Sequence, residues 1–233
     1  MFVRVAKVEK HSKDIATIHI NARFNALPGQ FAMLYVPEYE EIPISFSSES
    51  SFTVKAVGET TRALLDTKRG SLIGVRGPFG RPFRLKNNAL LIAGGIGIAP
   101  LRFLSYRLLR KGYNFQVVYG AKNAEELIWK DFYNAVYITE NGTYGIKGTA
   151  VDFVEKESLE RYSAIYSCGK SEFLKKLYRI FEEKSKSKFI EFSLERYIRC
   201  GIGVCGSCVL ENGMRVCKDG PVFNMNELTI DDL

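Results

Sequence analysis

The sequence predicts a β plus α/β architecture. An antiparallel β-barrel is expected over residues 1–84, a Rossmann-like α/β unit over 85–189 and a small cysteine-rich module over 190–233. Three observations carry this reading. The N-terminal third alternates apolar and polar positions between turn residues. From Leu85 onward, continuous apolar runs alternate with helical periodicity. Four of the five cysteines crowd between Cys200 and Cys217.

Taken in order, residues 2–8 and 15–20 read as strands because their apolar positions recur with period two. A third strand, 31–36, follows the Pro28-Gly29 turn, and 52–57 and 72–76 follow in turn. Short strands at this spacing suggest a small barrel. Residues 89–93 are apolar throughout, as in a parallel strand buried on both faces. A helix is expected over 101–111, since Leu101, Leu104 and Leu108 share one face and Gly112 can stop it. Strands at 115–119, 135–139 and 164–167 and a helix over 173–184 complete the alternation, which implies a parallel sheet and a nucleotide-binding architecture.

Of the 233 residues, 46% are hydrophobic and 25% charged, the balance of an ordinary soluble protein. The length suits two domains with a small appendage. The start, Met1-Phe2-Val3-Arg4-Val5-Ala6-Lys7, lacks the continuous apolar core of a signal peptide. The nearly apolar run 89–101 is broken by glycines and too short to cross a bilayer. A cytoplasmic protein with no membrane partner is therefore expected. The formal charge is +7, yet basic residues are interleaved with acidic ones, as over 181–188. No recognition module accompanies the charge, so no nucleic-acid partner is expected.

Cys200, Cys205 and Cys208 form C-x4-C-x2-C, and Cys217 follows after eight more residues. Such crowding in a cytosolic chain argues for metal binding over disulfides. The opening spacing is that of plant-type [2Fe–2S] sites. Gly201, Gly203 and Gly206 leave backbone N–H groups free to approach the sulfurs. The alternative is structural zinc, although zinc usually takes two close cysteine pairs of even spacing. Cys168 lies too far away in sequence to be assigned to this cluster.

A second glycine-rich segment, Gly94-Gly95-Ile96-Gly97-Ile98-Ala99-Pro100, joins a strand to a helix. Glycines let the backbone turn tightly and approach a pyrophosphate, whose charge then meets the helix N-terminus. Proline is tolerated in that first turn. It is not the G-x-G-x-x-G form, and a purely structural turn is the competing reading.

Together these residues point to a family. Gly94-Gly95-x-Gly97-x-x-Pro100 resembles the nicotinamide-binding loop of the ferredoxin–NADP reductase superfamily. Tyr166-Ser167-Cys168-Gly169 resembles that family's Y-x-C-G segment, where the cysteine lies beside the nicotinamide. Pro43-Ile44-Ser45 resembles the end of its flavin-binding R-x-Y-S motif, and Gly77-Pro78-Phe79-Gly80 the segment closing its flavin domain. The order barrel, nucleotide domain, four-cysteine cluster, together with Asp219-Gly220-Pro221-Val222-Phe223, resembles the electron-transfer subunits of class 1B dihydroorotate dehydrogenases over the whole chain.

The resemblance implies FAD in the barrel, NAD(H) in the α/β domain and a [2Fe–2S] cluster at the C-terminus. Ile44 and Ser45 would contact the isoalloxazine. Thr61, within Gly58-Glu59-Thr60-Thr61-Arg62, would contact the flavin pyrophosphate. The family arginine two residues before Ile44 is here Ile42, which cannot bind a phosphate, and FMN is therefore the alternative flavin. Arg62, directly after Thr61, is the nearest cation in the motif region. NADP is the alternative nucleotide, with Lys122 the residue able to touch a 2′-phosphate.

A nicotinamide delivers two electrons as hydride, an iron–sulfur cluster accepts one at a time, and a flavin can do both. No acid–base constellation accompanies this relay, and neither His11 nor His19 is assigned a catalytic role. By resemblance, substrate oxidation belongs to a separate FMN-containing dihydroorotate dehydrogenase catalytic subunit, in a heterotetramer serving pyrimidine biosynthesis. Two other readings stay open. One is a reductase subunit of a ferredoxin oxidoreductase or hydrogenase complex. The other is a zinc-stabilised nucleotide-binding regulator.

Overall fold

The computed structural model describes residues 1–185 and 188–233. Lys186 and Ser187, within the mixed-charge stretch noted above, lie outside them.

The N-terminal strands are β1 (Phe2–Lys10), β2 (Ile15–Ile20), β3 (Phe31–Tyr35), β4 (Ile42–Ser48), β5 (Ser51–Lys55) and β6 (Leu72–Phe79). They close into an antiparallel barrel in the order β1-β2-β5-β4-β3-β6. Alternation drives the closure. In β1, Val3 and Val5 are buried while their neighbours are exposed. The barrel is filled by Val5, Ile18, Leu34, Phe46, Phe52 and Ile73, and the Phe46 and Phe52 rings lie 4.6 Å apart. A helix, α1 (Glu59–Asp66), links β5 to β6 and sends Leu64 and Leu65 into this core.

The second unit is a seven-stranded sheet. Its strands are β7 (Ala89–Gly94), β8 (Phe115–Ala121), β9 (Ala135–Thr139), β10 (Ile146–Lys147), β11 (Ala164–Cys168), β12 (Phe189–Ser193) and β13 (Val222–Asn224). The order is β10-β9-β8-β7-β11-β12-β13. All neighbours are parallel except β12 and β13. Helices α2 (Ile98–Arg110), α3 (Ala150–Lys156) and α4 (Ser171–Lys184) cover it. The apolar run of β7 is buried on both faces, as a central parallel strand requires. Leu90 and Ile92 join the core under α4, whereas Leu91 and Ala93 join the core under α2.

The boundary expected between residues 189 and 190 falls inside β12. The reason is pairing: Phe189 to Ser193 run in parallel register with Ala164 to Cys168. The chain then leaves for the cysteine segment and returns as β13, where Phe223 pairs with Phe192. The cysteine module is thus a loop inserted between two strands of the nucleotide sheet. Barrel and sheet are joined by Phe103 of α2, which enters the barrel core, and by Arg107 to Glu49 at 2.7 Å. Lys55 to Glu126 at 3.0 Å adds a third tie. Glu191 of β12, 1% exposed, accepts from the Arg84 backbone at 3.0 Å and side chain at 2.8 Å.

Candidate functional site

Strand β7 ends at Gly94, a tight turn over Gly95–Gly97 follows, and α2 begins. Strand β11 lies alongside with Ala93 opposite Cys168, so the loop sits against Cys168 and Gly169. A Cβ on Gly97 would stand 2.3 Å from the Cys168 carbonyl oxygen. Gly94 and Gly169 both abut the Phe173 ring, from which a Cβ on each would stand 3.1 Å and 2.6 Å respectively. Three of these glycines are therefore required by the chain's own close packing. Gly95 differs: it has φ +55° and open space where a side chain would be.

Cys168 is 3% exposed at the end of β11. Burial holds its thiol well above the ordinary range, opposed by a hydrogen bond with Ser193 at the end of β12. It is a neutral, unreactive thiol. Tyr166 of the same motif is fully buried and belongs to the fold. Its hydroxyl donates to the Arg84 carbonyl at 2.5 Å and accepts from the Lys86 N–H at 3.1 Å, tying the interdomain connection to the sheet.

The barrel residues assigned to the flavin lie on β4. Pro43 pairs with Met33 and Ser45 with Phe31 on β3; Met33 pairs in turn with Arg76, and Phe31 with Phe79, on β6. Partners on one rung project to the same face of a sheet. Pro43, Ser45, Met33, Phe31, Arg76 and Phe79 thus share the outer face of the barrel. Ile44 pairs with Ala32 and packs against the barrel interior.

At α1, Gly58 is the N-cap residue. The Thr61 hydroxyl donates to the Gly58 carbonyl at 2.8 Å and accepts from the N–H groups of Val57 at 2.9 Å and Gly58 at 2.8 Å. One donor and two lone pairs are all that a hydroxyl has, so Thr61 is saturated by its own turn. Thr60 donates to the Glu40 carbonyl at 3.0 Å. Arg62 points to solvent.

The cysteines stand as two pairs. Cys200 and Cys205 are neighbours that titrate together, and the Cys205 thiol donates to the Ser207 hydroxyl at 3.4 Å. The Cys217 N–H donates to the Cys208 sulfur at 3.4 Å. Backbone N–H groups of Ile202, Cys205 and Val204 converge on Cys200 and hold its thiol down at about 6. Gly201, Gly203 and Gly206 all have φ between +75° and +82°, and this left-handed backbone turns those amides inward. Burial and the neighbouring Cys208 push Cys217 up to about 12. The hairpin between Cys208 and Cys217 is closed by the Val216 N–H on the Cys208 carbonyl at 3.0 Å. Arg215 pins the far side, donating to the Gly203 carbonyl at 3.0 Å and to Asp219 at 3.1 Å.

Four thiols, an amide nest for anionic sulfur and a two-by-two arrangement fit a [2Fe–2S] cluster. Among the described residues, no three His, Cys, Asp or Glu side chains are grouped so as to hold a metal ion. The cluster loop is seated on the outer barrel face that carries Pro43 and Ser45: a Cβ on Gly201 would lie 3.1 Å from Met33 and 3.4 Å from Phe79. Around it Ile202, Val204 and Val209 are exposed. The Gly77-Pro78-Phe79-Gly80 segment docks on the returning chain, where Arg81 makes a bidentate pair with Glu227 at 2.8 and 2.5 Å and donates to the Val222 carbonyl at 2.7 Å. Ser193, Glu41 and Arg76 carry no local signal in the sequence, because their partners are distant along the chain or lie in strands without a clear pattern.

A six-stranded barrel, a parallel sheet with a glycine turn at its carboxyl edge and an appended thiolate module define a ferredoxin-reductase-like oxidoreductase carrying an iron–sulfur site. Residues 195–229 match the iron–sulfur cluster binding domain of dihydroorotate dehydrogenase B. The probable dihydroorotate dehydrogenase B (NAD(+)) electron transfer subunit of Archaeoglobus fulgidus is 48% identical over 97% of this chain and 98% of its own. That of Methanocaldococcus jannaschii is 38% identical over 94% and 88%. The chain belongs to the family of dihydroorotate dehydrogenase B electron transfer subunits. Among solved structures, an NADH-dependent reduced ferredoxin–NADP oxidoreductase studied for flavin-based electron bifurcation superposes with a TM-score of 0.86. It is 29% identical, covering 99% of this chain and 91% of that one. The ferredoxin reductase of carbazole 1,9a-dioxygenase shares the fold, with a TM-score of 0.70 over 79% of this chain and 64% of that one, at 20% identity. No helix among the described residues is long and apolar enough to cross a membrane.

Proposed function

We propose that this chain carries electrons between NAD and an FMN-containing dihydroorotate dehydrogenase catalytic subunit in the cytoplasm, using FAD on the barrel and a [2Fe–2S] cluster on Cys200, Cys205, Cys208 and Cys217. The observation that carries this is the shared barrel face: Pro43 and Ser45 line the face on which the cluster loop is seated through Gly201, Met33 and Phe79. The flavin supplies conversion between two-electron hydride chemistry and one-electron chemistry. The chain's residues position and insulate. Gly94, Gly97 and Gly169 bring β7 and β11 close enough to shape the nicotinamide cleft, and Gly95 offers backbone to the nucleotide pyrophosphate. Gly58, Thr60 and Arg62 lie at the flavin-phosphate turn. Cys168 closes the cleft floor without titrating. The exposed rim of Ile202, Val204 and Val209 is the face offered to the partner.

The test is composition and turnover. Purified without oxygen, the chain should contain iron, acid-labile sulfide and FAD, and should pass electrons from NADH to artificial acceptors without oxidising dihydroorotate. With the catalytic subunit added, dihydroorotate oxidation should couple to NAD. Stoichiometric zinc in place of iron, or dihydroorotate turnover by this chain alone, overturns the reading. The 0.86 superposition favours a second reading, a relay to a ferredoxin-type partner; the 48% relative favours the first.

A further inference from the structure

We infer that Arg76 is a positioning residue for the cluster: it ties the backbone of the first cluster cysteine to the flavin barrel and directs positive charge at the cluster, making the cluster easier to reduce. The inference rests on the assignment of the cluster to Cys200, Cys205, Cys208 and Cys217.

Arg76 uses its whole guanidinium fork. Its Nε and Nη2 donate to Glu41 at 3.1 and 2.6 Å, and its Nη1 donates to the Cys200 carbonyl at 3.0 Å. The guanidinium carbon lies 5.4 Å from the Phe79 ring centroid. Phe79 and Met33 are the two side chains on which Gly201 rests. One arginine therefore touches the cysteine loop and its seat, from a rung that also holds Met33 and Pro43. Lysine lacks the planar fork that makes three such bonds at once.

The charge arrangement sets the sign. Glu41 balances Arg76, so together they form a dipole whose positive end faces Cys200. Reduction adds one negative charge to the cluster, and a nearby cation favours the reduced form. The Arg76 side chain is 42% exposed and Glu41 30%, so water and salt screen the effect without abolishing it. Removing the arginine alone leaves Glu41 as an uncompensated anion behind the position of the lost cation. Removing the carboxylate alone leaves the cation unopposed. The two substitutions must move the cluster in opposite directions.

The experiment is a potentiometric titration of the purified chain, following the cluster by electron paramagnetic resonance, for wild type, Arg76→Met, Arg76→Lys and Glu41→Gln. At the wild-type midpoint, Arg76→Met should lower the reduced-to-oxidised ratio by about tenfold, about 59 mV for a one-electron couple. Glu41→Gln should raise the ratio. Arg76→Lys should keep the direction of the wild-type charge effect while loosening the loop, read as faster iron release to a chelator. Flavin content is measured for each of the three variants, and the midpoints are compared on samples of equal flavin content. A ratio unmoved in Arg76→Met, or Glu41→Gln shifting in the same direction as Arg76→Met, overturns the inference. If Arg76→Met fails to retain iron, the sign seen in Glu41→Gln decides. Wild-type protein without iron and sulfide instead defeats the cluster assignment itself, a separate result.

Discussion

Two glycine-rich loops in this molecule look alike in sequence and differ in what their glycines do. In the loop after β7, Gly94 and Gly97 are glycines because the chain packs on itself, against Phe173 and the Cys168 backbone. Only Gly95 is open and left-handed. In the loop from Cys200 to Cys208, Gly201, Gly203 and Gly206 are all left-handed, and amides of the same loop gather on a sulfur. One loop uses absent side chains to bring two strands together. The other uses permissive backbone to make an anion nest. Glycine content alone does not separate the two; the sign of φ along each loop does.

The largest effect that tests this contrast is in the cysteine loop. Cys205→Ser should abolish the cluster or leave it unstable, because serine is a poor substitute for a soft thiolate. FAD should stay in the barrel, whose core shares no side chain with the cysteine hairpin. Iron, sulfide and flavin analyses check both halves. Loss of flavin along with iron would show that the loop and barrel fold as one unit.

Next comes Gly97→Ala. A methyl at 2.3 Å from a backbone oxygen cannot be relieved by a rotamer, so the strands must part. The expected loss is about 2–3 kcal/mol of stability, in the range of core overpacking. Thermal unfolding followed by circular dichroism measures it. An undiminished melting temperature would mean that the β7–β11 spacing is slack.

Gly95→Val sharpens the same loop. No atom of the described residues lies within 4 Å of a Cβ there, so the stability cost is chiefly the left-handed backbone, about 1–2 kcal/mol. NADH reduction of the flavin should fall on the order of tenfold or more, since the close backbone approach to a pyrophosphate is lost. Stopped-flow kinetics of the folded variant check it. Gly97→Ala should thus act first on stability and Gly95→Val first on nucleotide.

The parts legible in sequence were those whose cause is local. Alternation marked β1, β2, β3, β5 and β6, a continuous apolar run marked β7, and strands were expected as well at β8, β9 and β11. The cysteine spacing marked the thiolate module. Strand β4 carried the flavin motif but not a strand pattern, because Ser45, Ser47 and Ser48 interrupt its apolar positions. Helix α3 was missed at seven residues, although Thr149 and Asp152 form a capping box that could have signalled it. Strands β12 and β13 pair across a 28-residue excursion, which no window of periodicity can see. The Arg76 link to Cys200 spans 124 residues and exists only once the barrel has closed.

The contrast between residues engaged by the fold and residues left open reaches a third turn, at α1. Sequence resemblance assigned Thr61 to the flavin pyrophosphate, but its hydroxyl has no capacity left. Ile42 occupies the position of the family arginine and carries no charge. A pyrophosphate left without donors loses hydration uncompensated. Arg62 stands solvent-facing one residue on, on the first turns of the eight-residue α1, and is the open residue here as Gly95 is in the other loop. Arginine suits phosphate through its bidentate fork. Arg62→Ala should weaken FAD binding by about tenfold, about 1.4 kcal/mol, and leave FMN binding nearly unchanged, since FMN lacks the pyrophosphate. Thr61→Val should instead lower stability through the lost turn and change flavin affinity little beyond that. Both are measured by titrating FAD and FMN into deflavinated protein. Equal losses for the two flavins in Arg62→Ala would place that side chain away from the pyrophosphate, and an FAD-selective loss in Thr61→Val would return the contact to the threonine.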